Sequence, residues 1–230
     1  MIVLYDLLGA NDKRYSPFCW RIRLALAHKG LQSQDVTVGF TEKEKVAFSG
    51  QSLVPVIVDK ANGDKVVTDS WAIACYLEET YPQKSIFGGT TAQAVTRFVN
   101  AWAGPGLMMH IGPLIIRDLH DRVRTEDQAY FRESREKRYG KTLEQVQDGR
   151  EARLPALRIA LEPVRQVIAN QPFLGGKQPS YADYIVFGGF QWARIASDFK
   201  LLAEDDPINV WIGRIDGLYD GLTRKVGWGK

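Results

Sequence analysis

Cysteine is scarce in this sequence. The two present, Cys19 and Cys75, are too few and too far apart for a disulfide framework or a zinc site, so no metal is expected. No apolar run approaches the ~20 residues that a membrane-spanning helix requires. Neither sign of charge dominates: 30 basic and 27 acidic residues leave a formal net charge of +3. That is too mild to imply nucleic acid, and no polybasic run marks a membrane surface. Repeats and low-complexity tracts are missing as well. The opening "MIVLYDLLGANDK" turns acidic and polar after its first residues, unlike a secretory leader, so a reducing, cytoplasmic location is expected.

What the chain does have is ordinary globular composition. Its 230 residues, 45% hydrophobic and 25% charged, suffice for one large domain or two modest ones. "IVLY" is a short β-prone run ended by the polar loop "GANDKRY". "SPFCWRIRLALAHKG" reads as a helix with Ser16 as N-cap, Pro17 in the first position and Gly30 as its stop. "QDVTV", "LVPVIVD" and "KVVT" are further strands, the last two separated by an Asn62–Gly63 turn signal. "DSWAIACYLEETYP" is a helix with Ile73, Ala74, Leu77 and Tyr81 on one face, and Cys75 within it reads as a small core residue.

The order β-α-β-(α)-β-β-α predicts a small α/β domain over 1–81 and a linker over 82–91. Helices alone fill 92–230. Val95, Phe98, Val99 and Trp102 have helical spacing until Gly104-Pro105-Gly106, which is expected to bend or break the run. The charge-dense stretch 117–153 reads as a solvated helical face. Thr142 with Gln145, Ser180 with Asp183, and Asp206-Pro207 mark later helix starts, and Ser180 and Asp183 are assigned to folding.

The turn "YSPFCWRIR" nearly spells the C-P-x-C dithiol of a glutaredoxin, with Ser16 in place of the attacking cysteine. Together with "LVPVIVD", "TDSWAIACYLEETYP" and "SYADY", in that order, it makes the whole chain resemble a cytosolic glutathione transferase. The resemblance implies a thioredoxin-like N-terminal domain with a mixed four-stranded sheet, followed by an all-helical domain. Within that family the chain is most similar to the etherase-related group, bacterial β-etherases and their fungal relatives. The Ser-Pro-x-x-Trp turn, "VPVIVD", "DSW" and the segments "FRESREKRYGKTLEQVQDGRE" and "EDDP" carry that likeness.

This resemblance implies glutathione as cosubstrate and a cis Pro55, with Val54 holding the cysteinyl backbone as an added strand would. Asp69 would meet the ammonium and Ser70 the carboxylate of the γ-glutamyl group, at a helix start suited to anions. Phe18 and Gln51 would also touch the tripeptide, and Lys43 or Lys45 its glycyl carboxylate. Ser16 would donate to the thiolate, which the helix start also favours. The second substrate would be a hydrophobic or aromatic electrophile, in the etherase case a lignin-derived aryl ether. Tyr15, Met108, His110 and Trp192 are the expected walls of its pocket. Detoxification and homodimerisation are further family expectations.

Several readings compete. Ser16 is explained equally by capping alone, Tyr15 offers a phenol one residue earlier, and Cys19 offers a thiol for a reductase. Zeta-class isomerases have a Ser-Ser-Cys-x-Trp-Arg-x-Arg turn. With Trp20 aligned, their cysteine falls on Phe18 and their second serine on Pro17. A non-catalytic protein that binds glutathione or aromatic ligands would need only Val54, Asp69 and Ser70. His28 and His120 read as surface or helix-end residues.

Overall fold

A computed structural model describes residues 1–228. Strand β1 (Ile2–Leu7) leads into helix α1 (Pro17–Lys29), which crosses over to β2 (Ser33–Val38), parallel to β1. Strands β3 (Val56–Asp59) and β4 (Lys65–Thr68) follow as antiparallel neighbours, giving the order β2-β1-β3-β4. Helix α2 (Ser70–Thr80) packs on α1 and completes a thioredoxin-like domain. All four residues of β3 are buried, as suits a central strand covered on both faces. Its last residue, Asp59, is charged, yet its carboxylate accepts from Ala61 N, Asn62 Nδ2, Tyr76 Oη and Tyr81 Oη at 2.7 to 3.1 Å. Burial penalises this carboxylate, but the four donors together outweigh that penalty and hold its pKa below the ordinary value.

Register sets the position of the site. Tyr5 pairs with Val56, and Val56 with Thr68, in one row across three strands. The end of β1, the start of β3 and the end of β4 therefore share one end of the sheet. The loop into α1, the Val54–Pro55 step and the start of α2 all emerge there.

Helix α1 is buried nearly all round, against the sheet on one side and α9 (Tyr181–Ala196) on the other. Two of its buried charges have ionic partners: Arg23 reaches Asp6 and Asp35 at 2.7 and 2.8 Å, and Lys29 reaches Glu78 at 2.8 Å, while Arg21 donates to Asn100 Oδ1 at 3.1 Å. Without them, burial of these charges would cost several kcal/mol each, by order of magnitude. Gly188 lets α9 come this close, because a Cβ there would lie 2.5 Å from the Pro17 carbonyl oxygen.

The remaining helices are α3 (Thr90–Ala103), α4 (Met109–Arg122), α5 (Thr125–Tyr139), α6 (Leu143–Gln147), α7 (Leu154–Ala160), α8 (Glu162–Ile168), α10 (Pro207–Asp216) and α11 (Leu222–Lys225). The segment between α2 and α3 is pinned, since Ile86 and Phe87 are buried and Tyr181 N–H donates to the Ile86 carbonyl at 2.7 Å. Gly104-Pro105-Gly106 does not break the chain into separate helices. Residues Gly104–Met108 form a π turn in which Met109 N–H donates to the Gly104 carbonyl, and α4 continues from it.

Both capping boxes form, Thr142–Gln145 and Ser180–Asp183. The Asp183 carboxylate also accepts from Leu174 N, Gly175 N and Trp211 Nε1 at 2.7 to 3.0 Å, tying α9, α10 and the preceding loop together. Three expectations change in detail. Val95 and Phe98 have the spacing of a buried stripe but point outward, Phe98 with 72% of its surface exposed. Cys75 is only half-buried, its Sγ accepting from Gln93 Nε2. The charged face of α5 is not wholly solvated, because Asp127 and Phe131 are buried against the loop after β2. Among the described residues no helix is long and apolar enough to cross a membrane.

Candidate functional site

Ser16 caps α1, its Oγ accepting from Cys19 N–H at 3.2 Å. A hydroxyl that accepts through oxygen keeps its own proton to donate. The residue retains 4% of its surface. Phe18, two residues on, is exposed and lies under the Arg21 guanidinium, 4.6 Å from its ring centroid.

Cys19 points inward with 1% exposure. Burial pushes its thiol well up from the ordinary value, and the Asp6 carboxylate pushes the same way. Thiolate formation at Cys19 is therefore disfavoured despite the helix start, which removes the main requirement for a redox nucleophile.

The Val54–Pro55 peptide is cis, and Val54 lies just outside the β3–β4 ladder that begins at the Val56–Thr68 pair. Asp69 adopts φ +69°, a region that non-glycine residues seldom occupy. Its Oδ1 accepts from Trp71 N and Ala72 N at 2.9 and 3.0 Å, while Oδ2 has no hydrogen-bond donor among the described residues. Ser70 is buried beside it, and Tyr181 Oη donates to its carbonyl at 2.7 Å. One exposed carboxylate oxygen thus stands at the start of α2, on a backbone held from below by α9. Gln51 is half-buried just upstream of the cis step.

The two lysines considered for the glycyl carboxylate are engaged elsewhere. Lys45 pairs with Glu42 at 2.8 Å, and Lys43 lies over the Tyr130 ring at 4.5 Å. The Lys45 ammonium, the Gly39 N–H and the Arg124 guanidinium hold the Glu42 carboxyl down to about 2.

Of the residues expected to wall the second pocket, Met108 lies in the π turn, His110 on α4 and Trp192 on α9. Met108 Sδ is 3.3 Å from the point where a Gly189 Cβ would sit. A Gly112 Cβ would meet Tyr139 Oη at 3.1 Å and the Trp192 ring at 3.5 Å. His110 is half-buried on α4. Tyr15 requires a correction: with 1% exposure it is no open wall but packs behind one, 6.4 Å from Phe40 centroid to centroid. Its hydroxyl is sealed, and burial raises its pKa, so it cannot stand in for Ser16. His28 lies in the last turn of α1, the helix end expected for it, and its Nδ1 is 2.7 Å from Tyr184 Oη, which in turn bonds Tyr219 Oη.

Phe40, Arg135 and Tyr139 border the same region and carry no sequence signal beyond a loop aromatic and a charge-rich helix. Two hollows, of about 470 and 710 Å³, lie elsewhere, around His28–Tyr219 and Asp118–Lys200. Neither includes Ser16, Val54 or Asp69. The convergence of strand ends, rather than cavity size, locates this site.

Residues 15–80 match the model of the glutathione S-transferase N-terminal domain, and residues 94–204 that of the C-terminal domain. Glutathione S-transferase omega-1 of Mus musculus is 24% identical over 199 residues, covering 86% of this chain and 72% of that protein. Among solved structures, glutathione transferase GSTFuA3 from Phanerochaete chrysosporium superimposes with a TM-score of 0.84 at 25% identity, covering 93% of this chain and 95% of that one. CsGST63524 of Ceriporiopsis subvermispora, solved in complex with glutathione, gives 0.84 at 23% identity over 98% of each chain. With both domain models matched in order across most of the chain, on a sheet and helical bundle of the corresponding architecture, this protein belongs to the glutathione S-transferase family.

Proposed function

We propose that the protein is a glutathione transferase in which Ser16 donates a hydrogen bond to the glutathione sulfur and favours its thiolate. The reading rests on one observation: the Ser16 hydroxyl, the Val54 backbone and the Asp69 carboxylate emerge at the same end of the sheet. An extended peptide beside Val54 would carry its γ-glutamyl ammonium toward Asp69 Oδ2 and its sulfur toward α1. The positive end of α1 adds to the stabilisation of the anion.

Glutathione gives up its thiol proton to solvent. The thiolate then attacks an electrophilic carbon of a hydrophobic or aromatic substrate held by Met108, His110, Tyr139 and Trp192. A carbon–sulfur bond forms, and the bond to the leaving group breaks with its electron pair, as phenolate if the substrate is a β-aryl ether. The sealed thiol of Cys19 disfavours the reductase reading.

The test is glutathione-dependent turnover of a chlorinated dinitrobenzene and a β-aryl ether, by thiol transfer, and of maleylacetoacetate, by isomerisation, in wild type, Ser16→Ala and Cys19→Ala. Loss with Ser16→Ala and retention with Cys19→Ala is the expected pattern, and the reverse would transfer the role to Cys19. Turnover of maleylacetoacetate alone would make the protein an isomerase. We also propose a homodimer built on the α3 face that exposes Val95 and Phe98. Sedimentation of wild type and Phe98→Glu tests it, a monomeric wild type being the contrary result.

A further inference from the structure

A chain of neighbouring side chains runs from Tyr15, next to Ser16, across α5 to α9 and back to the start of α1. Tyr15 stacks on Phe40, and Phe40 meets Phe131 of α5 at 5.3 Å between centroids. One turn along α5, Arg135 lies over both rings, 5.2 Å from Phe40 and 4.7 Å from Phe131. A further turn brings Tyr139, whose Oη lies 3.1 Å, and the Trp192 ring of α9 3.5 Å, from the point where a Gly112 Cβ would sit. Gly188, one turn before Trp192, touches Pro17 and returns the chain of neighbours to the start of α1. Apart from Arg135 the side chains of this chain of neighbours are aromatic, Tyr15 and Phe131 buried behind and Phe40, Tyr139 and Trp192 partly exposed.

That cation lacks what its neighbours have. On the same helix Arg132 is held by Glu136 and Glu144 at 2.9 Å, and Arg124, just before it, by Asp127 at 2.7 Å. Among the described residues Arg135 forms no ion pair, and its one hydrogen bond runs from Nη1 to Ser134 Oγ at 2.9 Å. Among the described residues Nε and Nη2 have no hydrogen-bond partner, on a side chain that is only half-buried. Burial lowers its pKa from the ordinary arginine value and Arg138 adds to that, while burial raises the pKa of Tyr139 and of Tyr15 beside it, so neither offers it an anion. A partly desolvated cation without an anion is unfavourable, and an incoming anion would relieve it. The Nε–Nη2 edge is the face that binds a planar carboxylate through two parallel hydrogen bonds.

We propose that Arg135 receives a carboxylate of the second substrate, so that the enzyme prefers electrophiles with an acidic group on an aromatic body. The flat faces of Phe40, Tyr139 and Trp192 suit that body, and the guanidinium fixes which carbon is turned toward the sulfur. This inference rests on the reading of Ser16 as the thiolate site. Arg135 is a specificity residue in this scheme and takes no part in bond making.

The experiment compares a chloronitrobenzene bearing a ring carboxylate with its methyl ester, each rate being normalised to the uncatalysed reaction with glutathione. Wild type is expected to prefer the acid. Arg135→Gln is expected to reduce the acid-to-ester ratio of kcat/KM by about 10- to 100-fold, mainly through KM, the scale of a charge-assisted hydrogen bond. Arg135→Lys, which keeps the charge but not the fork, is expected to retain part of the preference. An unchanged ratio in a folded Arg135→Gln would overturn the inference, as would a loss of affinity for glutathione itself, which would assign Arg135 to the tripeptide. Should wild type turn over neither compound, the transferase reading fails. Equilibrium binding of nitrobenzoate against nitrobenzamide, followed by tryptophan fluorescence, then decides this inference separately. Tighter nitrobenzoate binding that Arg135→Gln abolishes supports it, and equal binding refutes it.

Discussion

Replacing Ser16 separates its two roles. Its Oγ accepts from Cys19 N–H, so it caps α1 whether or not it touches glutathione. Ser→Ala at a helix N-cap costs about 1 kcal/mol, whereas Ser→Gly costs only a few tenths. In a chain of 230 residues the alanine change should lower Tm by about 2–4 °C, with glycine close to wild type. The thiolate role makes a different demand, because both variants lack the hydroxyl. A hydrogen bond to a charged group contributes about 1.5–3 kcal/mol, and one pKa unit corresponds to about 1.4 kcal/mol. The pKa of bound glutathione should therefore rise by about 1–2 units in both variants, read from the ultraviolet absorbance of the thiolate across a pH titration. The pH–rate profile should move toward alkaline pH by the same amount. If Ser16→Gly leaves the bound pKa and the profile where wild type has them, Ser16 is a cap only, and the mechanism loses its central residue.

Three further outcomes follow from neighbouring geometry. Asp69→Asn keeps the Oδ1 cap to Trp71 N and Ala72 N but removes the charge for an ammonium. Calorimetric affinity for glutathione should fall about tenfold at unchanged Tm, and unaltered affinity would exclude Asp69 from the site. Asp183→Ala leaves Leu174 N, Gly175 N and Trp211 Nε1 without their buried acceptor and should cost about 3–5 kcal/mol in denaturant titration. A loss below ~1 kcal/mol would show that water replaces the carboxylate. Burial, with Lys29 adding to it, holds the His28 pKa below its ordinary 6.5. The unfolded chain then binds the proton more readily, so stability is full above about pH 6.5 and declines as pH falls through that value. His28→Gln should flatten Tm between about pH 7 and 5, and an equally steep decline in the variant would place the proton elsewhere.

What could be read in the sequence was local. Ser-Pro at 16–17, Gly30, and the spacing of Ser180 to Asp183 each encode a helix end through groups a few residues apart, and each end forms as written. The four strands were legible for the same reason, as short β-prone runs separated by turn chemistry, whereas their arrangement in one mixed sheet came with the family resemblance. What escaped depends on distant partners. Tyr15 is buried by Phe40, the sheet and α5 in combination, and no window around "KRYSPF" contains that information. Lys43 finds its partner in Tyr130 of the other domain. Val95 and Phe98 have the period of a core stripe, yet the fold places no core opposite them. Arg135 was hidden among alternating charges because the docking of one face of α5 on the loop after β2 is a tertiary event.

The π turn at Gly104–Met108 gives the pocket a means of change that leaves the scaffold in place. Such a turn holds one more residue than an α-helical turn, and the surplus is confined between two regular helices. Removing one residue there would restore ordinary winding and swing Met108 and His110 by about a quarter-turn relative to α3, with the strand ends, the cis peptide and the α1 cap untouched. Insertion and deletion, as well as substitution, are therefore available to this lineage for redrawing what the enzyme accepts. A length change at this point would alter substrate choice at little expense to folding.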